Sequence, residues 1–422
     1  MRPTLARAEG IHVWDVEGRR YVDGTSGAFC VNLGYTRPDL AAALAETAAR
    51  LPHARPSRFD SEERLRYEAA LLAAAAPPFA RVALTSSGSE AVEAALKIAW
   101  RWHAAAGRPE RRRFLSLDGH YHGATLAALD VTGVGARRDP YAALLGARAF
   151  GPHADCARCF RDLTHPDCAL ACADAAFEAG GAEAGVATSG RAGKGGAVAA
   201  TNRGADVAAL IAETVPASGL AAPVPPAGWL ARVRARCDAM GALWIADEVL
   251  AGFGRAGDLF AWRRLAPDAV PDLVVFGKGA GAGFAPLAGV LVSGRVAASL
   301  PEDFAHHQTY GGAPTACAVG LRVLAALEEE RIVAGVRERE GAFAQALAPL
   351  AGHPRVRAVR GIGFLRGVLL RDAAAAAIVE ACRERGLLLH AAGKDGILLA
   401  PPLVATAGDL EGIAATLSAA LG

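Results

Sequence analysis

The sequence predicts an α/β fold with a mainly parallel central sheet flanked by helices, plus a small α+β domain built from both termini. Short apolar runs alternate with helical stretches from residue 81 to residue 300, which is typical of a parallel sheet. The chain then continues as a long helix after Pro314, followed by shorter helix–strand pieces. We therefore expect residues 53–300 to form the large domain, and residues 1–52 and 301–422 to form the small one.

The individual elements follow in chain order. Strand-like pieces at 11–14 and 20–22 flank a turn and indicate a hairpin, and helices are predicted at 38–51, 61–75 and 91–102. The apolar runs predicted as strands are 82–84, 210–212, 243–246, 273–276 and 289–292. Residues 180–204 are rich in glycine and alanine and predict a surface excursion without chemistry.

Composition narrows the class of protein. The 422 residues are 52% hydrophobic and 21% charged, which indicates a globular chain rather than a disordered one. A net charge of +2 gives no electrostatic reason to expect nucleic acid or an anionic membrane as partner. The sequence has no apolar stretch of membrane-spanning length, and its N-terminus lacks the apolar core of a signal peptide. These features predict a cytoplasmic enzyme with reduced cysteines.

A lysine at a predicted strand end is the most specific chemical signal. Only four of the 45 basic residues are lysines, and one of them, Lys278, follows the apolar run 273–276 and precedes a glycine-rich turn. A desolvated lysine can lose its proton and form an imine, whereas arginine cannot. Lys278 is therefore a candidate Schiff-base nucleophile. The alternative is a surface lysine whose stem covers apolar groups.

The polar segment at 85–90, between a predicted strand and a predicted helix, is a candidate phosphate site. Ser87, Gly88 and Ser89 place small residues at the helix N-terminus, where free N–H groups and the helix dipole favour an anion. The alternative is an ordinary N-cap formed by a serine, with Glu90 in the first turn. The segment matches neither the P-loop nor the dinucleotide fingerprint.

Two adjacent carboxylates, Asp247 and Glu248, follow the predicted strand 243–246. Successive side chains of a strand point to opposite faces, so we expect only one of them to face a ligand. Open α/β sheets bind ligands at this edge, and a buried carboxylate there needs a positive partner. A helix cap or a salt bridge to a nearby arginine is the alternative.

Aromatic, histidine and cysteine side chains supply the remaining signals. Tyr121 lies among histidines and glycines, in a position to pack against a planar group, although an ordinary polar turn is the alternative. No metal site is predicted from the histidines, because no carboxylate or cysteine shares their local spacing. The spacing of Cys156, Cys159, Cys168 and Cys172 leaves two alternatives open, a zinc site and locally packed free thiols.

The chain carries these features in the order phosphate site, aromatic, strand-end aspartate and strand-end lysine. Pyridoxal phosphate needs this set. Its phosphate needs N–H and hydroxyl donors, its ring a stacking face, its pyridine nitrogen a carboxylate and its aldehyde a lysine. The combination predicts an enzyme that uses pyridoxal 5'-phosphate.

With those residues in place, the chain resembles the class III aminotransferases of the fold-type I pyridoxal phosphate enzymes over nearly its whole length. The segments that carry the resemblance are 87–91, 121–123, 247–249, 252–255, 278–279 and 309–314. The resemblance implies that Lys278 holds the cofactor and moves a proton between the substrate Cα and the cofactor's C4′ carbon. It implies that Asp247 pairs with the pyridinium nitrogen. The other implied cofactor contacts are Ser87, Gly88, Ser89, Tyr121, His122, Glu213, Val249 and Thr309.

The resemblance also implies a shared active site. Tyr121 and Val249 would lie on the two faces of the ring, and Gly88 and Ser89 would hold the phosphate. Thr309 would reach that phosphate from the other subunit. A homodimer is therefore expected, with small-molecule amines and oxo compounds as its other partners, and with neither nucleic acid nor membrane.

Segments 26–35 and 400–404 look most like the ω-amino acid and amine:pyruvate transaminases, which implies that Phe29 and His390 line the substrate pocket. Three positions depart from the family pattern, and one of them is Thr214, where the family has a proline after the glutamate. The ornithine, 4-aminobutyrate and dialkylglycine branches have an arginine where this chain has Leu398, and the amine transaminases have one where it has His390. A neutral imidazole cannot bind a carboxylate in a bidentate fork. Either Lys394 or another arginine takes that role, or the acceptor is not an ordinary 2-oxo acid.

The predicted function is a pyridoxal phosphate-dependent transaminase. It would move an amino group from an amine or (ω-)amino acid donor to an oxo acid or aldehyde acceptor. The alternative is another class III reaction, that of an amino acid epimerase or racemase, an aminomutase or a decarboxylating transaminase, because one electron sink serves all of them. A non-enzymatic role is disfavoured because Lys278 and Asp247 are both present.

Overall fold

A computed structural model of the protein describes residues 3–146, 148–178, 205–301 and 306–422. The excursion predicted at 180–204 lies outside these residues. In the described part of the chain, no helix combines the length and the apolar composition that a membrane crossing needs.

The chain begins with three antiparallel strands, β1 (Leu5–Glu9), β2 (His12–Asp15) and β3 (Arg20–Asp23). Asp15 closes the turn between β2 and β3, because its carboxylate accepts hydrogen bonds from backbone N–H groups of the turn and from the Tyr21 hydroxyl. The short, irregular α1 (Ser26–Phe29) follows, and then α2 (Pro38–Arg50) and α3 (Glu62–Ala75). The predicted hairpin and the two predicted helices are found within one or two residues of their expected bounds.

Among the described residues, six strands form the central sheet, in the order β4-β9-β8-β7-β6-β5. Their bounds are β4 (Phe79–Thr85), β5 (Arg113–Leu115), β6 (Val207–Glu213), β7 (Leu243–Asp247), β8 (Leu273–Phe276) and β9 (Ala288–Ser293). Strands β5 to β8 are parallel neighbours, whereas β9 runs antiparallel between β8 and β4. The mainly parallel sheet is confirmed, and the short β5 was not predicted.

Helices cover both faces of this sheet, so every residue of β6, β7 and β8 is buried, as is typical of parallel strands. The helices are α4 (Gly88–Ala105), α5 (Leu126–Asp130), α6 (Gly135–Arg138), α7 (Ala171–Glu178), α8 (Trp229–Met240), α9 (Ala261–Leu265) and α10 (Gly294–Ala297). The buried face of α4 is rich in alanine, and it packs on Val275 and Val290 of the sheet. These small side chains bring the start of α4 close to the strand ends.

The C-terminal part forms an antiparallel sheet in the order β10-β11-β14-β13, together with four helices. The strands are β10 (Val356–Ile362), β11 (Leu365–Leu370), β12 (Leu387–Leu388), β13 (His390–Ala392) and β14 (Gly396–Leu399). The helices are α11 (Pro314–Glu329), α12 (Ile332–Leu347), α13 (Ala375–Glu384) and α14 (Ala407–Leu421). Strand β12 pairs in parallel with β3, so both termini contribute to the small α+β domain, as the fold class predicted.

Candidate active site

Three parallel strands bring the predicted strand-end residues to one edge of the sheet. Glu213 ends β6 and is the register partner of Asp247, which ends β7. Lys278 follows β8, two residues beyond its last position. The carboxyl edge of an open α/β sheet is where such folds bind ligands, so these three side chains lie at the expected ligand edge.

Lys278 has a strained backbone and a desolvated side chain. Its φ of 43° lies in the left-handed region, which costs a non-glycine residue about 1–3 kcal/mol. Its Nζ lies 5.4 Å from the centroid of the Phe29 ring. Burial lowers the pKa of Lys278, although the charges of Glu213 and Asp247 act in the opposite direction. A lower pKa increases the fraction of neutral amine, which is the nucleophilic form.

The two adjacent carboxylates at the end of β7 have different partners. Asp247 Oδ2 lies 2.8 Å from His122 Nδ1, and both side chains are buried. Glu248 instead accepts hydrogen bonds from the N–H groups of Ala261 and Trp262 at the start of α9. Burial raises the pKa of Glu248 to about 7. The helix-cap alternative therefore describes Glu248, while Asp247 faces the site.

A second set of contacts fixes the segment around Tyr121 to the sheet. The backbone N–H of Glu213 donates to His120 Nδ1 at 3.0 Å, and the Glu213 carboxylate accepts from the Tyr121 N–H at 2.8 Å. Burial lowers the pKa of His120 well below its usual value, so this ring is neutral. Burial, together with the charge of Asp247, raises the pKa of Glu213 to about 7. Sequence reasoning gave His120 no role, because its partner lies 93 positions away and no local pattern marks the pair.

We expect the two substitutions His122→Leu and His122→Asn to differ in their effect on turnover. Leucine leaves the buried Asp247 carboxylate without its side-chain donor, which costs on the order of 1–3 kcal/mol and should lower kcat by about tenfold to a hundredfold. Asparagine can place an N–H near the position of Nδ1 and should retain most of the rate. Steady-state kinetics of the purified variants measure this difference. Equal losses in both variants would show that the hydrogen bond to Asp247 has no role.

The start of α4 combines a helix cap with a candidate phosphate site. Ser87 is the N-cap, since its Oγ accepts from the N–H of Glu90, and the Glu90 carboxylate accepts from the N–H of Ser86. The N–H groups of Gly88 and Ser89 belong to the first turn, where a helix offers them no intrahelical partner. The cap alternative therefore describes the Ser87 side chain, and the N–H groups after it are candidate donors to an anion.

The side chain of Val249 packs between the start of α4 and the residue before Lys278. A Cβ on Gly88 would lie only 2.9 Å from Val249 Cγ1, and one on Gly277 would lie 3.6 Å from the same methyl group. A Cβ on Gly123 would lie 2.7 Å from Ser89 Oγ. Glycines at these positions therefore let the helix start, the strand ends and the segment after Tyr121 approach one another.

This set of side chains fits pyridoxal phosphate. The start of α4 offers N–H donors to a phosphate, and Asp247 offers a carboxylate to a ring nitrogen. Val249 and Tyr121 are available to the ring faces, and Lys278 to the aldehyde. In the described residues, His122 Nε2 is buried and has no hydrogen-bond partner, so one polar atom beside Asp247 is available to a bound group.

We expect Gly88→Ala to weaken cofactor binding. The new methyl group would displace the Val249 side chain, since the two would approach to 2.9 Å, and Val249 lies between the helix start and the residue before Lys278. Displacements of this kind typically cost about 1–3 kcal/mol, so the cofactor Kd should rise by about tenfold or more. Titration of the apoenzyme with pyridoxal phosphate measures this Kd. Gly341→Ala is the matched control, because a Cβ at that position meets nothing within 4 Å. If the cofactor Kd rises equally in Gly88→Ala and Gly341→Ala, the packing argument is wrong.

The predicted substrate residues Phe29 and His390 touch each other. Their rings meet edge to face with centroids 5.3 Å apart. Burial, with smaller effects of Arg137 and Lys278, lowers the pKa of His390, so its ring is neutral at pH 7. Leu398 is the register partner of His390 on β14 and is fully buried in an apolar cluster with Phe29. The two positions that lack the expected arginine are therefore neighbours on one sheet.

Arg255 is a residue that sequence reasoning quoted without giving it a role. It is fully buried and donates hydrogen bonds to Ser26 Oγ at 2.9 Å, to Asn32 Oδ1 at 2.8 Å and to the carbonyl oxygen of Pro401. Burial lowers the pKa of Arg255 to about 9, so it remains charged at neutral pH. This guanidinium ties the segment that carries Phe29 to the segment after β14. The partners lie more than 140 residues away along the chain, so no local motif could identify them.

Thr309 lies apart from these contacts. It is exposed, as is its neighbour Tyr310, and it makes no hydrogen bond with a site residue within the described part of one chain. The segment returns to the molecule at Gly311, where a Cβ would lie 2.8 Å from the carbonyl oxygen of Leu84 in β4. The placement is compatible with a contact made outside its own chain.

The zinc alternative gains no support. Among the residues that the structure describes, no group of three or more His, Cys, Asp or Glu side chains is arranged to hold a metal ion. All eight cysteines, each of them within the described residues, are free thiols.

Comparison with known proteins identifies the family. The family model for aminotransferase class-III matches residues 2–421. The chain belongs to the class III aminotransferases. An acetylornithine aminotransferase of Xylella fastidiosa is 35% identical over 99% of this chain and 92% of its own length. An omega-aminotransferase of Caulobacter vibrioides is 32% identical over 99% of this chain and 93% of its own length.

Solved structures agree with this assignment. An amine transaminase from an uncultivated Pseudomonas species, in its pyridoxal phosphate-bound form, superposes with a TM-score of 0.89 at 30% identity, over 100% of this chain and 95% of that one. An (S)-enantioselective omega-transaminase from Thermomicrobium roseum superposes with a TM-score of 0.86 at 32% identity, over 100% of this chain and 92% of that one. This aminotransferase therefore has fold type I, uses pyridoxal 5'-phosphate and transfers an amino group to an oxo acceptor. The relatives do not favour the alternative epimerase, aminomutase or decarboxylating reactions.

Proposed function

We propose that this aminotransferase takes amino groups from amines and ω-amino acids and passes them to 2-oxo acids or aldehydes. One observation carries the choice of donor. His390 and Leu398, where related branches carry a carboxylate-binding arginine, are register partners, and Leu398 is buried among apolar side chains including Phe29. A pocket wall of this kind suits the apolar part of an amine better than a fixed carboxylate. The likeness to an omega-aminotransferase and to amine transaminases supports the same donors.

A panel of donors tests this proposal. We expect 1-phenylethylamine, 3-aminopropanoate and 4-aminobutyrate to be converted with pyruvate as acceptor at higher kcat/KM than N-acetylornithine. A coupled assay for alanine measures all four donors on one product. A preference of tenfold or more for N-acetylornithine would contradict the proposal and would favour the activity named for the Xylella fastidiosa relative.

The proposed roles of the side chains follow from their positions. Pyridoxal phosphate, when bound, supplies an aldehyde that links to amines and a ring that withdraws electrons from the carbon beside the nitrogen. Ser87 positions the start of α4, and the N–H groups of Gly88 and Ser89 bind the phosphate. Asp247, oriented by His122, holds a proton at the ring nitrogen.

Lys278 has two proposed tasks. Its Nζ would hold the cofactor between turnovers, and as a free amine it would take the proton from the substrate Cα and return it to the cofactor carbon bonded to the same nitrogen. Burial lowers its pKa, so the released amine is ready to accept that proton. Glu213 keeps Tyr121 in place through the backbone N–H, and the ring of Tyr121, opposite Val249, excludes water from one face.

We also propose a homodimer in which Thr309 binds the phosphate of the partner's active site, and a cytoplasmic location in keeping with the free thiols. Several large apolar side chains support an interface because they are exposed in the single chain: Phe59, Tyr141, Leu144 and Tyr310. Thr309 lies in the same exposed segment as Tyr310.

Mixed dimers test the shared site. The variants Lys278→Ala and Thr309→Asp should each have little activity, since one lacks the lysine and the other brings a negative charge to the phosphate. If Thr309 acts across the interface, a dimer with one subunit of each kind contains one intact site. Unfolding and refolding the two together should then restore about a quarter of wild-type activity, because half of the dimers are mixed and each has one intact site. No recovery on mixing, with both variants dimeric by light scattering, would contradict the shared site.

A further inference from the structure

An arginine of α6 lies over the ring of Tyr121, one of the predicted cofactor contacts. The Cζ atom of Arg137 is 5.9 Å from the centroid of the Tyr121 ring. The His390 ring meets Phe29 edge to face, and the Phe29 ring lies 5.4 Å from Lys278 Nζ. Arg137 and Lys278 both lower the pKa of His390 beyond the larger effect of its burial, so both cations act on this ring. Arg137 therefore lies over Tyr121 while Lys278 lies beside Phe29, and the two charges act on the same neighbouring ring of His390.

The backbone under Arg137 is held in place, while its side chain is exposed. The next residue, Arg138, donates a hydrogen bond to the carbonyl oxygen of Leu129 at 2.9 Å, which anchors α6 to α5. Val134, just before α6, packs so closely on Gly219 that a Cβ there would lie 2.9 Å from Val134 Cγ2. The exposed guanidinium of Arg137 can thus turn toward or away from the pocket on a fixed base.

Charge pairing distinguishes Arg137 from other arginines of this side of the molecule. Arg360 forms an ion pair with the buried carboxylate of Asp155, and Arg158 pairs with Asp395. Arg137 has no carboxylate partner in the part of the chain that the structure describes. Its guanidinium instead lies over the face of the Tyr121 ring. Its charge is therefore available to a ligand.

We propose that Arg137 binds the carboxylate of the 2-oxo acid acceptor, and of the amino acid formed from it, in place of the arginine that Leu398 and His390 replace. A guanidinium binds a carboxylate through two parallel hydrogen bonds, which the neutral His390 ring cannot offer. Because the Arg137 side chain is exposed and unpaired, it can move aside for an amine donor that carries no carboxylate. This inference rests on the proposed function, since it names how that site recognises an acceptor.

Paired acceptors test the inference. Pyruvate and acetaldehyde differ only by the carboxylate, so each variant serves as its own control. We expect Arg137→Gln to lower kcat/KM for pyruvate by about tenfold to a hundredfold, mainly through KM, because a charge-assisted hydrogen bond is lost. The value for acetaldehyde should change by less than about twofold, and Arg137→Lys should fall between the wild type and Arg137→Gln for pyruvate.

Lys394, on the turn between β13 and β14, is the rival cation, and Lys394→Gln removes the same charge from another position. We expect Lys394→Gln to retain wild-type kcat/KM for both acceptors. The inference is overturned if Lys394→Gln carries the loss for pyruvate while Arg137→Gln does not, or if Arg137→Gln affects pyruvate and acetaldehyde equally.

A binding measurement separates this inference from the proposed function. Propionate, which cannot react, should bind the wild-type holoenzyme in isothermal titration, and Arg137→Gln should weaken it by about tenfold or more, whereas propionamide should not distinguish the two proteins. If amine donors fail while propionate still requires Arg137, the proposed function is wrong and the carboxylate site stands. If propionate binds both proteins equally, the carboxylate site is wrong whatever the donors are.

Discussion

Lys278→Ala should abolish turnover while leaving the fold intact. Lys278 is the partly buried amine at the end of β8, and burial lowers its pKa, so its removal takes away both the group that holds the cofactor and the proposed proton carrier. General acid–base catalysis alone contributes about 10²–10⁴-fold, so we expect kcat to fall by at least about a thousandfold. The thermal midpoint should not fall, because the substitution removes a desolvated amine from a strained backbone position.

Two controls accompany the Lys278→Ala variant: a substitution of another lysine, and rescue by a small amine. Lys394→Ala should retain wild-type kcat, since Lys394 is exposed. Adding methylamine to Lys278→Ala should restore part of the lost rate in proportion to its concentration, because the amine can occupy the space of the missing side chain. Near-wild-type kcat in Lys278→Ala, in a preparation free of wild-type protein, would refute the assignment.

Asp247→Asn should cause the second-largest loss. The substitution keeps the size of the side chain and an oxygen near His122 Nδ1, but it removes the charge that would keep the ring nitrogen protonated. Removing one such electrostatic contact typically lowers kcat by about 10²–10³-fold. The adjacent carboxylate supplies a matched control. Glu248→Gln disturbs a cap on α9, so it should lower the thermal midpoint and leave kcat within a few-fold of wild type.

The outcome that contradicts this account is equally clear. If Glu248→Gln lowers kcat as much as Asp247→Asn, then the two carboxylates do not have separate tasks. Unchanged kinetics in Asp247→Asn would show that the charge at the end of β7 does not act on the reacting group.

Residues at strand ends could be predicted from the sequence because their positions depend on local periodicity. Apolar runs locate β6, β7 and β8, and parallel strands place their carboxyl ends at one edge, which brings Glu213, Asp247 and Lys278 together. The helix start at Ser87 could also be predicted, from the capping pattern of the sequence around it. Strand periodicity alone could not decide which of Asp247 and Glu248 faces the site, because both lie at the strand end; only the family resemblance favoured Asp247.

Long-range side-chain contacts could not be predicted. Arg255 reaches Ser26, and His120 reaches the backbone of Glu213, through contacts that only the packed tertiary structure defines. The position of Arg137 over Tyr121 was also not predicted, since a four-residue helix and an aromatic 16 positions before Arg137 carry no common periodicity. The burial and the contacts of Arg255, His120 and Arg137 thus identify residues that sequence composition and motif spacing do not.

A single half-reaction tests the central claim most directly. The holoenzyme, given an excess of an amine donor and no acceptor, should release one equivalent of ketone per active site and then stop. After the remaining donor is removed by gel filtration, added pyruvate should yield one equivalent of alanine per active site, and the Lys278→Ala variant should do neither. Ketone that continues to form without an acceptor, or racemised donor or carbon dioxide without any ketone, would contradict amino-group transfer through Lys278.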